Sequence, residues 1–192
     1  MRWFSLSYEQ AKDDIVLYNL ALSLIELHEY QQAIEKLESV IESVDDAYRV
    51  CLYCKAKVQK QTVSVFLKNR QYDEKKIDLI DQMYLFYLCD IYSAIVEKGE
   101  EITSEWGLTY GQWAVIIDSY IRCGKKDLLD AMISKEAMNY YNSKRYYREL
   151  NLLIYNDKKR MDIINLSLFP HDLSTIVQCG YFGCENHGTS WL

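Results

Sequence analysis

Between Asp14 and Asp46 the chain reads DIVLYNLALSLIELHEYQQAIEKLESVIESVDD, with apolar residues recurring at helical spacing in two successive blocks. Leu17, Leu20, Ala21 and Leu24 form one stripe of a first helix. His28-Glu29-Tyr30 interrupts the pattern, and Ala33, Leu37 and Val40 form a stripe on a second helix. Small residues at Ala21 and Ala33 let two antiparallel helices approach closely, and the larger residues around them fill the gap. This stretch constrains the chain to at least one tight helical hairpin.

The same residues carry a resemblance. Large-apolar, large-apolar, small and bulky positions in a first helix, then Tyr-x-x-Ala-x-x-x-large in a second, follow the 34-residue tetratricopeptide pattern. Leu17, Leu20, Ala21 and Leu24 occupy the first set, and Tyr30, Ala33, Leu37 and Val40 the second. The stretch therefore resembles a tetratricopeptide (TPR) repeat, with departures at Leu17, where Trp is frequent, Ala21, where Gly is frequent, and Asp45, where Pro is frequent. The first-helix stripe returns at Leu85, Leu88, Cys89 and Tyr92 and again at Trp113, Ile116, Ile117 and Tyr120. At the intermediate register Lys55 stands where a small residue belongs. The resemblance implies an all-α fold: an α-hairpin (TPR-like) solenoid of about four helix pairs over residues 1–169, followed by an irregular C-terminal cap or tail, 170–192. A compact α-bundle of different topology is the structural alternative.

Helix punctuation fits that reading. One Pro and seven Gly in 192 residues suit long helices joined by short turns. A capping box at Ser7–Gln10 opens a first helix near Tyr8 that runs to about Leu27, and a second spans about Tyr30 to Ser43. A third helix is expected from Asp46 to Asn69. Asp73 caps a fourth over Glu74 to Glu97, which Lys98-Gly99 ends. A second capping box, Thr109–Gln112, opens a fifth helix that Gly124 terminates. Lys126–Tyr141, Lys144–Tyr155 and a helix capped by Asn156-Asp157 complete the series.

Charge and compartment narrow the function. The net charge of −6 and the pI near 5.1 argue against nucleic acid as the main partner, since phosphate binding needs a basic surface. The opening MRWFSLSYEQAKDD has no continuous apolar core, and the longest apolar runs, such as Met83–Leu88, are far too short to span a bilayer. A cytoplasmic protein is expected, without a membrane role, and its six cysteines are then reduced packing groups. The 17 tyrosines act as amphipathic filler, rings inside and hydroxyls at the surface.

Three constellations invite chemistry. Cys51-x-x-Cys54 has the spacing of a redox pair, but it falls inside a helix with no strand before it, so core packing is the better reading. Cys179, Cys184 and His187 offer three zinc-type ligands in a Gly-rich tail, and a fourth would come from His171 or Cys123. The plainer account is a tail whose Tyr181, Phe182 and Trp191 dock on the helices. Lys144-Arg145-Tyr146-Tyr147-Arg148, extended by Lys158-Lys159-Arg160, interleaves basic and aromatic groups, and in an acidic chain reads first as a solvated helix face. No G-x-S-x-G, H-E-x-x-H or Gly-rich phosphate loop is present, and no nucleophile–base pair can be assembled.

The expected function is binding. TPR-like folds present the first helix of each pair on a concave surface, which here places Ile15, Tyr18, Leu22 and Ile25 toward the partner. These residues are apolar and aromatic, so a protein or peptide with an apolar segment is the expected partner, and no cofactor or catalytic residue is assigned. The chain also resembles the repeat domains of peptide-pheromone-sensing bacterial regulators, which would make it a sensor or adaptor. The DNA-binding helix-turn-helix of those regulators is not readable here, so the resemblance implies a sensor or adaptor half without its output domain. The competing functions are a small metal-binding helical protein built on the Cys/His tail and a structural subunit of a homo-oligomer.

Overall fold

The structure, a computed structural model, describes residues 13–104, 108–137 and 143–167. Among the described residues it is all-α: eleven α-helices, one 3-10 turn and no strand. These residues form two compact units, the first ending at Ile77 and the second spanning Asp78–Leu168. The division falls inside the stretch 1–169 that the sequence suggests as one domain. Among the described residues, no helix is long and apolar enough to cross a membrane.

In the first unit, α1 (Asp14–Glu26) begins where the Asp13 carboxylate accepts the Ile15 N–H at 2.9 Å, from an extended N-cap backbone. The Ser7–Gln10 capping box lies outside the described residues. α2 (Tyr30–Val40) packs on α1, and α3 (Ala47–Val58) packs on α2. Leu17, Ala21, Ala33, Leu37, Val40, Val50 and Cys54 are all buried in one cluster, so the two stripes expected from the sequence form one core. Lys55, which breaks the repeat pattern, reaches the surface and pairs with Glu38 of α2 at 2.7 Å.

The helix expected over Asp46–Asn69 is broken at Gln59 (φ −130°, ψ 42°), giving α3 and α4 (Lys60–Lys68). Lys57 to Thr62 are all exposed. With no buried face to hold one axis, the chain redirects there and buries Val63 and Leu67 instead. Asp73 caps no long helix. Its carboxylate accepts the Lys75 N–H in a turn, and Asp78 opens α5 (Leu79–Leu88) by accepting the Asp81 N–H at 2.7 Å.

The second unit is organised around α8 (Tyr110–Arg122), in which Trp113 through Tyr120 are all buried. It packs against α6 (Tyr92–Glu97), α10 (Ser143–Tyr155) and α11 (Asp157–Ser167). α7 (Gly99–Ser104) precedes it; a 3-10 turn (Lys126–Leu128) and α9 (Leu129–Ala137) follow. The Thr109–Gln112 capping box forms as expected: Gln112 N–H donates to Thr109 Oγ1, and Thr109 N–H donates to Gln112 Oε1 at 2.7 Å. Asn156 caps α11, its Oδ1 accepting the Lys159 N–H at 3.0 Å. A helix ends at Lys98-Gly99 as expected, with Lys98 as the C-cap of α6, and Gly99 has a further role. It starts α7, and its missing side chain makes room for the Tyr120 hydroxyl, which a Cβ would overlap.

One turn device recurs in both units. After α1, α4, α5 and α8 a single residue adopts left-handed backbone: His28 (φ 61°), Arg70 (51°), Asp90 (58°) and Gly124 (66°). Each time its N–H and the next residue's N–H return to carbonyls of the last helical turn, as in Glu29 to Leu24 at 2.9 Å and Ile91 to Phe86 at 2.8 Å. Only Gly124 is the residue type that favours this conformation. The turn at Asp90 is what splits the helix expected over Glu74–Glu97, because Asp tolerates left-handed backbone better than most residues. At two of the turns a tyrosine two residues on secures the strained residue. Tyr30 hydroxyl lies 3.1 Å from His28 Nδ1, and Tyr92 hydroxyl donates to Asp90 Oδ1 at 2.7 Å.

Candidate functional site

The residues expected to line a partner groove fall on α1. Tyr18, Leu22 and Ile25 are buried, and Ile15 is exposed at 56%. They share a face, offset by roughly a third of a turn from the Leu17, Leu20, Ala21, Leu24 stripe. α1 thus has two apolar faces. Asn19 is buried beside them at 4% exposure, and its amide nitrogen has no hydrogen-bond partner among the described residues.

Cys51 and Cys54 lie in the interior of α3, both buried. Burial pushes both thiols up, Cys54 to about 12. Both are packing groups, and their burial disfavours the thiolate that redox or metal chemistry requires. Cys179, Cys184, His187 and His171 lie outside the described residues. Among the described residues no group of three or more His, Cys, Asp or Glu is arranged to hold a metal ion.

The most concentrated electrostatic feature is one the sequence reading missed. Asp118, on α8, is 2% exposed and accepts three donors from three helices. Tyr87 hydroxyl of α5 donates to Oδ2 at 2.6 Å, Arg122 Nε donates to the same oxygen, and Arg160 Nε of α11 donates to Oδ1 at 2.9 Å. Burial alone would push the Asp118 carboxyl up, but the hydrogen bonds from Arg122, Tyr87 and Arg160 outweigh it and hold the group below the ordinary carboxylate value. Tyr87 is pushed up, first by burial and then by its bond to Asp118, so its hydroxyl stays protonated. Arg160 sends Nη1 to the Leu153 carbonyl at 2.7 Å, in the last turn of α10, and Nη2 to Asp157 at 2.8 Å. It therefore ties the carbonyl end of α10 to the centre of α8. Arg122 stacks over the Tyr92 ring at 5.0 Å.

This cluster is internally satisfied. Both Asp118 oxygens and the Arg160 Nε, Nη1 and Nη2 have protein partners, so it holds helices together without offering an open acid or base. It also corrects the basic-patch reading. Lys158 and Lys159 are exposed, but Arg160 is 4% exposed and points inward to Asp118. Asp118 could have been suspected from sequence: WAVIIDSYIR places one carboxylate in an otherwise apolar run, with Arg122 four residues on. Nothing in the sequence points to Arg160 as its second partner, 42 residues away.

The remaining basic and aromatic residues form an outer surface. Lys144, Arg145 and Arg148 of α10 are exposed, and Tyr146 and Tyr147 are half-buried. Lys126 ammonium lies 4.3 Å over the Tyr155 ring, and Lys159 lies 5.7 Å over the Tyr110 ring. The comparisons add no family to this geometry: no protein-family model, curated protein or solved structure matches the chain.

Proposed function

We propose that the protein works by binding another protein or peptide through an apolar segment of that partner, as a TPR-like helical module acting as adaptor or sensor, and not by catalysis. The observation that supports this most is the double apolar face of α1. A hairpin helix needs one such stripe to pack on its partner helix. The second, with Tyr18, Leu22 and Ile25, continues to the exposed Ile15. On this reading Ile15 is the point of first contact, and an apolar partner segment engages the three buried residues by exchange with what covers them. The succession of α1 on α2 and α2 on α3 is compatible with stacked hairpins, and the solenoid of about four pairs belongs to the same proposal.

The test uses Ile15→Glu, because an exposed position can change without disturbing the core. Tagged wild-type and variant chains are compared by pull-down from the native cell, with helicity checked by circular dichroism. The proposal expects a protein captured by the wild type to be lost from the variant at unchanged helicity. The same captured proteins with Ile15→Glu and with Leu22→Ala would count against this face as the binding surface.

A further inference from the structure

We propose that the second unit carries a separate docking surface, built on α10 and the 3-10 turn, for an acidic amphipathic helix of a protein partner. Arg148, Leu152 and Tyr155 follow one another at four- and three-residue steps along one face of α10. Leu152 is 51% exposed and Tyr155 71%. Lys126, over the Tyr155 ring, brings the 3-10 turn to this end of α10, and that turn adds Leu128, 53% exposed. Three of the largest exposed apolar side chains of the described chain thus belong to neighbouring elements.

Charge complementarity selects the occupant. Leaving out Arg122 and Arg160, which pair with Asp118, residues 123–159 hold eight Lys and Arg against five Asp and Glu, in a chain of net charge −6. Lys126, Arg148, Lys158 and Lys159 are exposed, and none has a carboxylate within ion-pair distance among the described residues. Lys158 and Lys159 stand three and four residues beyond Tyr155, in the first turn of α11. A helix with leucine on one face and glutamate beside it would bury Leu128, Leu152 and Tyr155 and satisfy the cations at the rim. A nucleic acid would use the lysines and the tyrosine ring but gain nothing from exposed leucines.

The experiment titrates the full chain into a fluorescein-labelled helical peptide carrying leucine at three- and four-residue intervals and glutamate between. Three further probes are the same peptide with Gln for Glu, the same with Ala for Leu, and labelled oligothymidine. Fluorescence anisotropy is expected to show saturable binding of the Glu/Leu peptide alone. Lys158→Glu/Lys159→Glu and Leu152→Ser/Tyr155→Ser are each expected to weaken it about tenfold, equal to about 1.4 kcal/mol. Ile15→Glu is expected to leave it unchanged, which separates this surface from the α1 face. Equal binding of the Ala-for-Leu peptide, tighter binding of oligothymidine, or no saturable binding would overturn the proposal. The two double variants alter only exposed side chains, and retained affinity in both would overturn it as well.

Discussion

The core around α1 and α2 is uncharged, with Asn19 as its buried polar side chain, whereas α8 is as deeply buried and carries a carboxylate in the middle of its core. In the first unit, ion pairs such as Lys55–Glu38 and Lys76–Glu42 stay at the partly exposed edges. In the second, Asp118 and Arg160 meet at 3% and 5% side-chain exposure. The difference is one of specificity. Apolar stripes fix which faces meet but tolerate small slips, while a buried carboxylate with three fixed donors is satisfied in a single arrangement of α5, α8 and α11.

Removing one partner should hurt the second unit most. Asp118→Ala removes the buried counter-charge of Arg160, leaving it only the exposed Asp157, and is expected to cost about 4 kcal/mol in urea unfolding. Leu37→Ala, in the core of the first unit, is expected to cost about 3 kcal/mol through lost burial and the cavity it leaves. If Asp118→Ala proves milder than Leu37→Ala, the cluster is not what holds α11 to α8.

Acid sharpens the same contrast. The folded Asp118 carboxyl lies below its unfolded value of about 3.9. Its contribution is therefore complete above that value and is lost as pH falls through the lower folded value. Hydrogen exchange read separately on peptides of each unit should show α8 and α11 losing protection in that window more in the wild type than in Asp118→Asn, where nothing remains at that position to protonate. Equal acid responses in wild type and variant would assign the transition to other carboxylates.

A smaller effect concerns packing inside the second unit. Gly99→Ala overlaps the Tyr120 hydroxyl and is expected to cost about 2 kcal/mol. Tyr120→Phe removes the hydroxyl oxygen that a Cβ would meet first, so the double variant should recover part of the loss. A double variant no better than Gly99→Ala alone would place the strain elsewhere.

What could be read from the sequence follows from how local each signal is. The Leu17–Leu24 and Ala33–Val40 stripes, the Thr109–Gln112 box and the Asn156 cap are complete within a few residues, and each is present in the structure. The break at Gln59 was hidden because it depends on which residues find a core. The pairing of Asp118 with Tyr87 and Arg160 was hidden because its partners are 31 and 42 residues away. Arg160 therefore looked like part of a surface run. The turn at Asp90 was hidden for a different reason: no glycine marks it.

That last point gives the finest comparison, among turns of one kind. Arg70, His28 and Asp90 all hold left-handed backbone without being glycine. The strain is alike, but the compensation is not. His28 and Asp90 each have a tyrosine hydroxyl within hydrogen-bond distance, whereas the Arg70 side chain makes no hydrogen bond among the described residues. Glycine relieves the strain at any of the three, by up to about 1 kcal/mol, offset in part by the greater freedom it gives the unfolded chain. At Arg70 nothing further is lost, so Arg70→Gly should stabilise the first unit by a few tenths of a kcal/mol or more. At Asp90 the bond from Tyr92 goes too, and Asp90→Gly should be neutral or destabilising. Thermal unfolding of the two variants side by side decides it: if Asp90→Gly gains as much as Arg70→Gly, the Tyr92–Asp90 bond contributes nothing to holding that turn.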